Sequence, residues 1–189
     1  MKKVLSLTVL VCLLAALFTG CGEKVKSSLA IYDNNGNEVV RLGMSRADVE
    51  AKLGTEGGTG DNVSYGGLSL IYRDDVICCI RSSVAEYQTD KGVHVGLGTE
   101  EAMALFNEGE YQLQESSTVK DAWSALVYYD KDNNIIREKQ PKKYNGLVSM
   151  TNVHYINNGF EADPNGIVMI ALMDQIYWDE VTKNSNNAQ

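Results

Sequence analysis

Leu42-Gly43-Met44-Ser45-Arg46-Ala47-Asp48-Val49-Glu50-Ala51-Lys52-Leu53-Gly54 carries a start and a stop for one short helix. Ser45 is a good N-cap because its hydroxyl can accept from a first-turn N–H, and Asp48 at N3 can reach back to the same turn. Met44 is spaced to staple onto Val49. Val49 and Leu53 share a face, and Gly54 can take the left-handed conformation that ends a helix. The plan returns in weaker form from Val93-His94-Val95-Gly96-Leu97-Gly98 onward. There Gly98 replaces the cap, Glu100 and Glu101 suit the positive helix N-terminus, and Ala102, Leu105 and Phe106 form an apolar stripe. This predicts a second helix over 99–108, with Asn107 in the place of Gly54.

Strand-like runs follow each helix. After the first come Asn62–Tyr65, a Gly66-Gly67 hairpin signal, 68–72, the Arg73-Asp74-Asp75 turn and 76–81, which together read as a three-stranded meander. After the second come Trp123–Tyr129, an Asp130 to Asn134 turn, 135–137, 147–156 and 167–173, the same plan with longer connections. A leading hairpin, 29–32 and 38–42 around Asn35-Gly36, is expected to add an edge to the sheet. The expected fold class is therefore α+β: two tandem helix-plus-antiparallel-meander repeats, with the helices on one face. The units are a leading segment 1–20, a short tether 21–28, a first repeat 29–91, a second repeat 92–182 and a disordered tail 183–189.

The run from Leu42 to Gly54, with its meander and degenerate second copy, resembles the repeats of beta-lactamase-inhibitor-protein-like domains. It is also similar to small lipoproteins of the outer-membrane assembly machinery and to many Gram-positive lipoproteins. That resemblance implies a fold and not an activity.

The N-terminus has its own signal. Lys2-Lys3 precede an apolar run from Val4 to Phe18, too short for a comfortable membrane span and suited to a secretory leader. Thr19-Gly20-Cys21 resembles a bacterial lipobox, which implies that 1–20 is a signal peptide and that Cys21 carries diacylglycerol. Two acyl chains make a durable anchor. The expected location is the extracytoplasmic face of a cell membrane, with the membrane a partner through the lipid on Cys21.

Composition narrows the partners. The chain has 189 residues and a formal charge of −8, and losing Lys2 and Lys3 makes it more acidic still. Without basic clusters, nucleic acid is not an expected partner. The folded part keeps only Cys78 and Cys79. Neighbours on a strand point to opposite faces, so the two are not expected to share a core, and reduced thiols acting as small hydrophobes are the expectation.

Catalytic and metal motifs are weak. Asp33-x-Asn35-x-Asn37 and Asp130-x-Asp132-x-Asn134 begin like calcium loops, but Glu38 or Ile135 stands where such a loop needs Gly, and Met44 or Pro141 where it needs Glu. Both read as polar hairpin turns. The glycines between Gly54 and Gly60 lack a following Lys-Ser or Lys-Thr, and neither His94 nor His154 has a nucleophile or ligand spacing around it. No cofactor, metal or catalytic residue is expected.

Ten tyrosines against three phenylalanines point to a half-wet sheet face. A sheet with helices on one side leaves the other open, so Tyr65, Tyr72, Tyr128, Tyr129 and Tyr155 are the candidate interaction surface. The sequence thus favours a non-enzymatic module that binds another envelope protein. The alternatives are a lipoprotein that binds a small molecule or cell-wall fragment, and an enzyme.

Overall fold

The structure, a computed structural model, describes residues 26–55, 60–115, 119–156, 159–163 and 166–187; side chains at 154–156, 159–160 and 185–187 are outside that description. The leader, Cys21 and the 21–25 part of the tether lie outside the described residues.

The helix at the opening motif forms as its caps require. α1 (Arg46–Leu53) starts where the Asp48 N–H donates to Ser45 Oγ and stops at Gly54, whose φ of 85° lets its N–H reach Glu50 O. Met44 and Val49 are both buried in one core. α2 (Thr99–Ala104) is shorter than the 99–108 expected. Gly98 supplies no side-chain cap, and the helix turns off at Leu105 without a left-handed residue to finish it.

β1 (Ala30–Asp33), β2 (Glu38–Arg41) and β6 (Tyr87–Gln88) form a small sheet of their own, so the leading hairpin does not extend the main one. The main sheet has eight strands. It contains β3 (Asn62–Tyr65), β4 (Leu68–Arg73), β5 (Val76–Ser82), β7 (Gln112–Glu115), β8 (Trp123–Tyr129), β9 (Ile135–Ile136), β10 (Gly146–Thr151) and β13 (Met169–Asp174). Its antiparallel order is β3-β4-β5-β13-β10-β8-β7, with β9 beside β8. β11 (Val153–Ile156) and β12 (Gly159–Ala162) form a separate two-stranded sheet.

The expected single strand 147–156 is therefore broken in two. Asn152 causes the break: its side chain accepts from Trp123 N and donates to Asp121 O and Asp163 O, turning the chain out of the sheet.

Alternation along the strands divides the core. Leu70, Ile80, Val127, Val148 and Leu172 face the first cluster, which the small sheet completes with Ile31 and Val40 and the two helices with Val49 and Ala102. Cys79, Leu126, Tyr128, Leu147, Ala171 and Met173 face the second. α3 (Gln175–Asn187) lies on that second cluster through Tyr177 and Trp178.

This overturns the expected fold class. Among the described residues the fold is mostly β, 40% strand against 17% helix, and is not two helix-plus-meander repeats. The sheet face expected to be bare is covered by α3, and residues 183–187, expected to be a disordered tail, continue that helix. The helix begins immediately after β13 because Asp174 caps it. Its Oδ1 accepts from Tyr177 N at 2.7 Å, while its other oxygen pairs with Arg73.

What does recur between the halves is a backbone clasp. Gly43 N donates to Ile77 O and Ile77 N to Met44 O, at 2.9 and 3.0 Å. Gly96 N donates to Ile167 O and Ile167 N to Leu97 O, at 2.7 and 3.0 Å. The Gly-hydrophobic pairs of the opening motif and its copy are thus ties between each turn and a distant strand segment.

Cys78 and Cys79 are both free thiols, and both are buried, against the expectation that the two would not share a core. The pairing of Ile71 with Cys79 and of Tyr72 with Ile77 skips Cys78, a β-bulge that suspends the alternation at that point. Burial pushes both thiols up, Cys79 to about 12, so neither is a reactive thiolate.

Candidate functional site

The five tyrosines do not form a surface. Tyr72 and Tyr129 are buried in the first cluster and Tyr128 in the second; Tyr65 packs half-buried against the first, and the Tyr155 side chain is outside the described residues. Arg46 covers Tyr72 at 4.0 Å from its ring centroid. Burial pushes the Tyr72 hydroxyl up to about 12 and the Tyr129 hydroxyl higher.

Both calcium-like starts are closed turns. Asp33 Oδ1 accepts from Asn35 N and Asn37 N, and Asp130 Oδ1 from Asp132 N and Asn134 N, with the Asn37 and Asn134 amides donating to the same carboxylates. Those bonds hold both aspartates below the usual carboxylate range and occupy the oxygens a cation would need. Among the described residues no group of three His, Cys, Asp or Glu could hold a metal. His94 Nδ1 lies 3.0 Å from Val95 O, and the His154 side chain is outside the described residues.

The concave surface lies elsewhere, around the β7 edge of the main sheet. One hollow of about 520 Å³ runs between α3 and the 140–144 segment, lined by Tyr128, Tyr144, Trp178, Asp179, Lys142 and Gln114 among others. A second, of about 760 Å³, is lined by Phe106, Tyr111, Leu113, Arg137 and Lys139. Gln114 and Gln140 line both, so the two hollows meet as a trough over the sheet edge. Each lies within the roughly 300–1,000 Å³ of small-ligand sites.

Two glutamine amides hold the segment that separates the hollows. Gln112 donates to Glu138 O at 2.8 Å and accepts from Gln140 N at 3.1 Å, tying it to β7. Gln175 donates to Lys142 O at 3.0 Å and accepts from Tyr144 N at 3.3 Å, tying it to α3. Between these ties Gln140 sits at φ 50°, a left-handed conformation that is costly for a side-chain-bearing residue and worse before Pro141. The backbone at the meeting point of the two hollows is strained and clamped from both sides.

Rings and charges are placed at the two ends. Tyr144 stands edge-on to Tyr128 with centroids 4.9 Å apart, and burial, then the charge of Asp179, pushes its hydroxyl up. At the other end Phe106 and Tyr111 form an edge-to-face pair at 6.3 Å. Arg137 pairs with Glu110 at 3.0 Å. Glu110 also accepts from the Asn107 side chain and N–H at 3.0 Å each, and these bonds, with Arg137, lower it to about 2.

Glu110 is ionised in both folded and unfolded chains above the ordinary carboxylate value, so its stabilisation is complete there. It is lost as pH falls from about 4.5 toward 2, because only the unfolded chain takes up the proton across that window. Glu110→Gln is expected to cost about 1–2 kcal/mol at pH 7 and to flatten this part of the stability–pH curve, read by urea denaturation at stepped pH.

The trough was not legible beforehand. Gln112, Leu113 and Gln114 alternate as an edge strand would, but nothing in that spacing brings residues 140–144 or 175–182 beside them.

No family model matches the chain, and no curated protein matches it. Among solved structures, an extracellular protein containing a SCP domain from Bacillus anthracis str. Ames superposes with a TM-score of 0.38 at 9% identity, covering 71% of this chain and 44% of that one. The chain thus spans less than half the length of that structure. A likeness of that degree carries no argument about function.

Proposed function

We propose that the protein is a lipid-anchored, extracytoplasmic lipoprotein of a bacterial membrane that binds a small polar ligand or cell-wall fragment without chemically altering it. The observation that carries the binding half is the trough, with its clamped and strained Gln140. The anchoring half rests on the leader and on Cys21. Docking of another envelope protein on the sheet has less support, since α3 occupies the face it would use. Among the described residues no helix is long and apolar enough to cross a membrane.

Binding is favoured over catalysis by the origin of the shifted groups. Tyr72 and Cys79 are displaced chiefly by burial, and Glu110 by its bonds to Asn107 and Arg137, so each shift has a packing or capping cause.

Anchoring is tested by expressing the full chain and its Cys21→Ala variant in a bacterium fed an alkyne fatty acid. The natural chain is expected to take the label and sediment with membranes, and the variant to lose the label entirely. An unlabelled natural chain would refute the lipid anchor.

A further inference from the structure

We infer that the trough takes an uncharged sugar oligomer, laid across the β7 edge with rings in both hollows; this rests on the ligand-binding reading above and names its ligand class. The polar groups at the shared saddle are the side-chain amides of Gln114 and Gln140. A primary amide offers donors and an acceptor side by side, the same pairing that adjacent sugar hydroxyls present. Neither amide is taken up in a hydrogen bond described in the fold; it is the backbone N–H of Gln140, and not its side chain, that Gln112 holds.

Charge argues for a neutral ligand. Lys142 and Asp179 face one hollow together, and in the other Lys139 is matched by Glu108 while Arg137 is paired with Glu110. Opposite charges of equal number leave no net field to attract an ion. Half-buried aromatic rings at both ends, Tyr144 and Trp178 at one and Tyr111, backed by the buried Phe106, at the other, offer apolar faces of the kind that the C–H side of a pyranose covers.

Two joined hollows argue for an oligomer over a single ring. An extended peptide is the main competitor, because β7 is an edge strand. Part of that edge is already engaged: through Gln112 the 138–140 segment lies against it, where an added strand would have to sit.

The test is calorimetric titration of the full chain in detergent with N-acetylglucosamine, its β-1,4-linked trimer, maltotriose and tri-alanine, alongside the indole NMR signal of Trp178. At least one trisaccharide is expected to bind ten times or more tightly than the monosaccharide and to shift the Trp178 signal. Gln114→Ala is expected to weaken that binding at least fivefold. Gln114 is exposed, so folding should be unaffected. Gln140→Gly, which relieves the φ of 50°, is expected to raise the melting temperature while weakening binding.

Binding of tri-alanine with no response to either trisaccharide would overturn the sugar class and leave the ligand-binding reading intact. Trisaccharide binding unchanged by both substitutions would overturn the trough as its site. No response to any of the four probes would overturn the sugar class, and an unaltered Trp178 signal when a lysate of bacterial cell wall is added would bring down the ligand-binding reading as well.

Discussion

Truncation after Asp174, which removes α3, is expected to destabilise the fold by about 5 kcal/mol and to expose an apolar sheet face. Tyr177 and Trp178 are half-buried against Cys79, Leu126, Tyr128, Leu147, Ala171 and Met173. A fully buried Trp→Ala change costs about 3–5 kcal/mol, so two half-buried aromatics account for about 4 together, and the hydrogen bond from Arg81 to the Tyr177 hydroxyl at 2.8 Å adds about 1. Five kcal/mol is a large share of the 5–15 kcal/mol that domains possess. The truncated chain should unfold at much lower urea and bind a hydrophobic dye while still partly folded. Trp178→Ala alone should lower stability by about 2 kcal/mol. An unchanged urea midpoint for the truncated chain would mean that α3 does not pack on the sheet.

The second large effect is at Gly166. A Cβ there would lie 2.1 Å from Leu97 O and 2.9 Å from Leu97 C, and its φ of 140° is one that side-chain-bearing residues rarely adopt. The obstacle is backbone, and it is the backbone of the clasp in which Ile167 N donates to Leu97 O. Gly166→Ala cannot be absorbed by rotating a side chain; it must part the turn from the strand segment. It is expected to cost more than about 3 kcal/mol. Gly96→Ala on the other side of the same clasp is the control. Its φ of 88° is unfavourable, but nothing lies within 4 Å of the added methyl, so about 1 kcal/mol is expected. Equal costs for the two in thermal or urea denaturation would show that conformation, and not contact, decides at this clasp.

Local features of the fold were readable where one residue suffices to direct the backbone. Ser45, Asp48 and Gly54 set both ends of α1, and Gly66-Gly67, with φ of 49° and 90°, makes the hairpin turn between β3 and β4. The aspartate turns at Asp33 and Asp130 were readable for the same reason, as their bonds span only four residues.

What escaped depends on partners distant in sequence. Asp174 could have been seen as an N-cap for the Tyr177, Trp178 and Val181 stripe, but which sheet face that stripe covers is decided by Arg73 and Arg81, far back along the chain. That one placement turned the expected open face into a second core and Tyr128 into a packing residue, while Tyr72 and Tyr129 are buried in the first core on the other side of the sheet. The bulge at Cys78 was hidden because it comes from a mismatch with Ile71 and Tyr72 across the sheet, and no single strand records it. The trough depends on long-range contact too, since Gln112 and Gln175 bring together three segments that no motif connects.

The packing of α3 on the second face of the sheet is tested most directly by nuclear Overhauser contacts in the full chain. Ring protons of Tyr177 and Trp178 are expected to show strong cross-peaks to methyls of Leu126, Leu147 and Met173, alongside helical shifts over 175–182. Coil-like shifts there, with those methyls touching only solvent, would contradict a two-sided core and return the sheet to an open face.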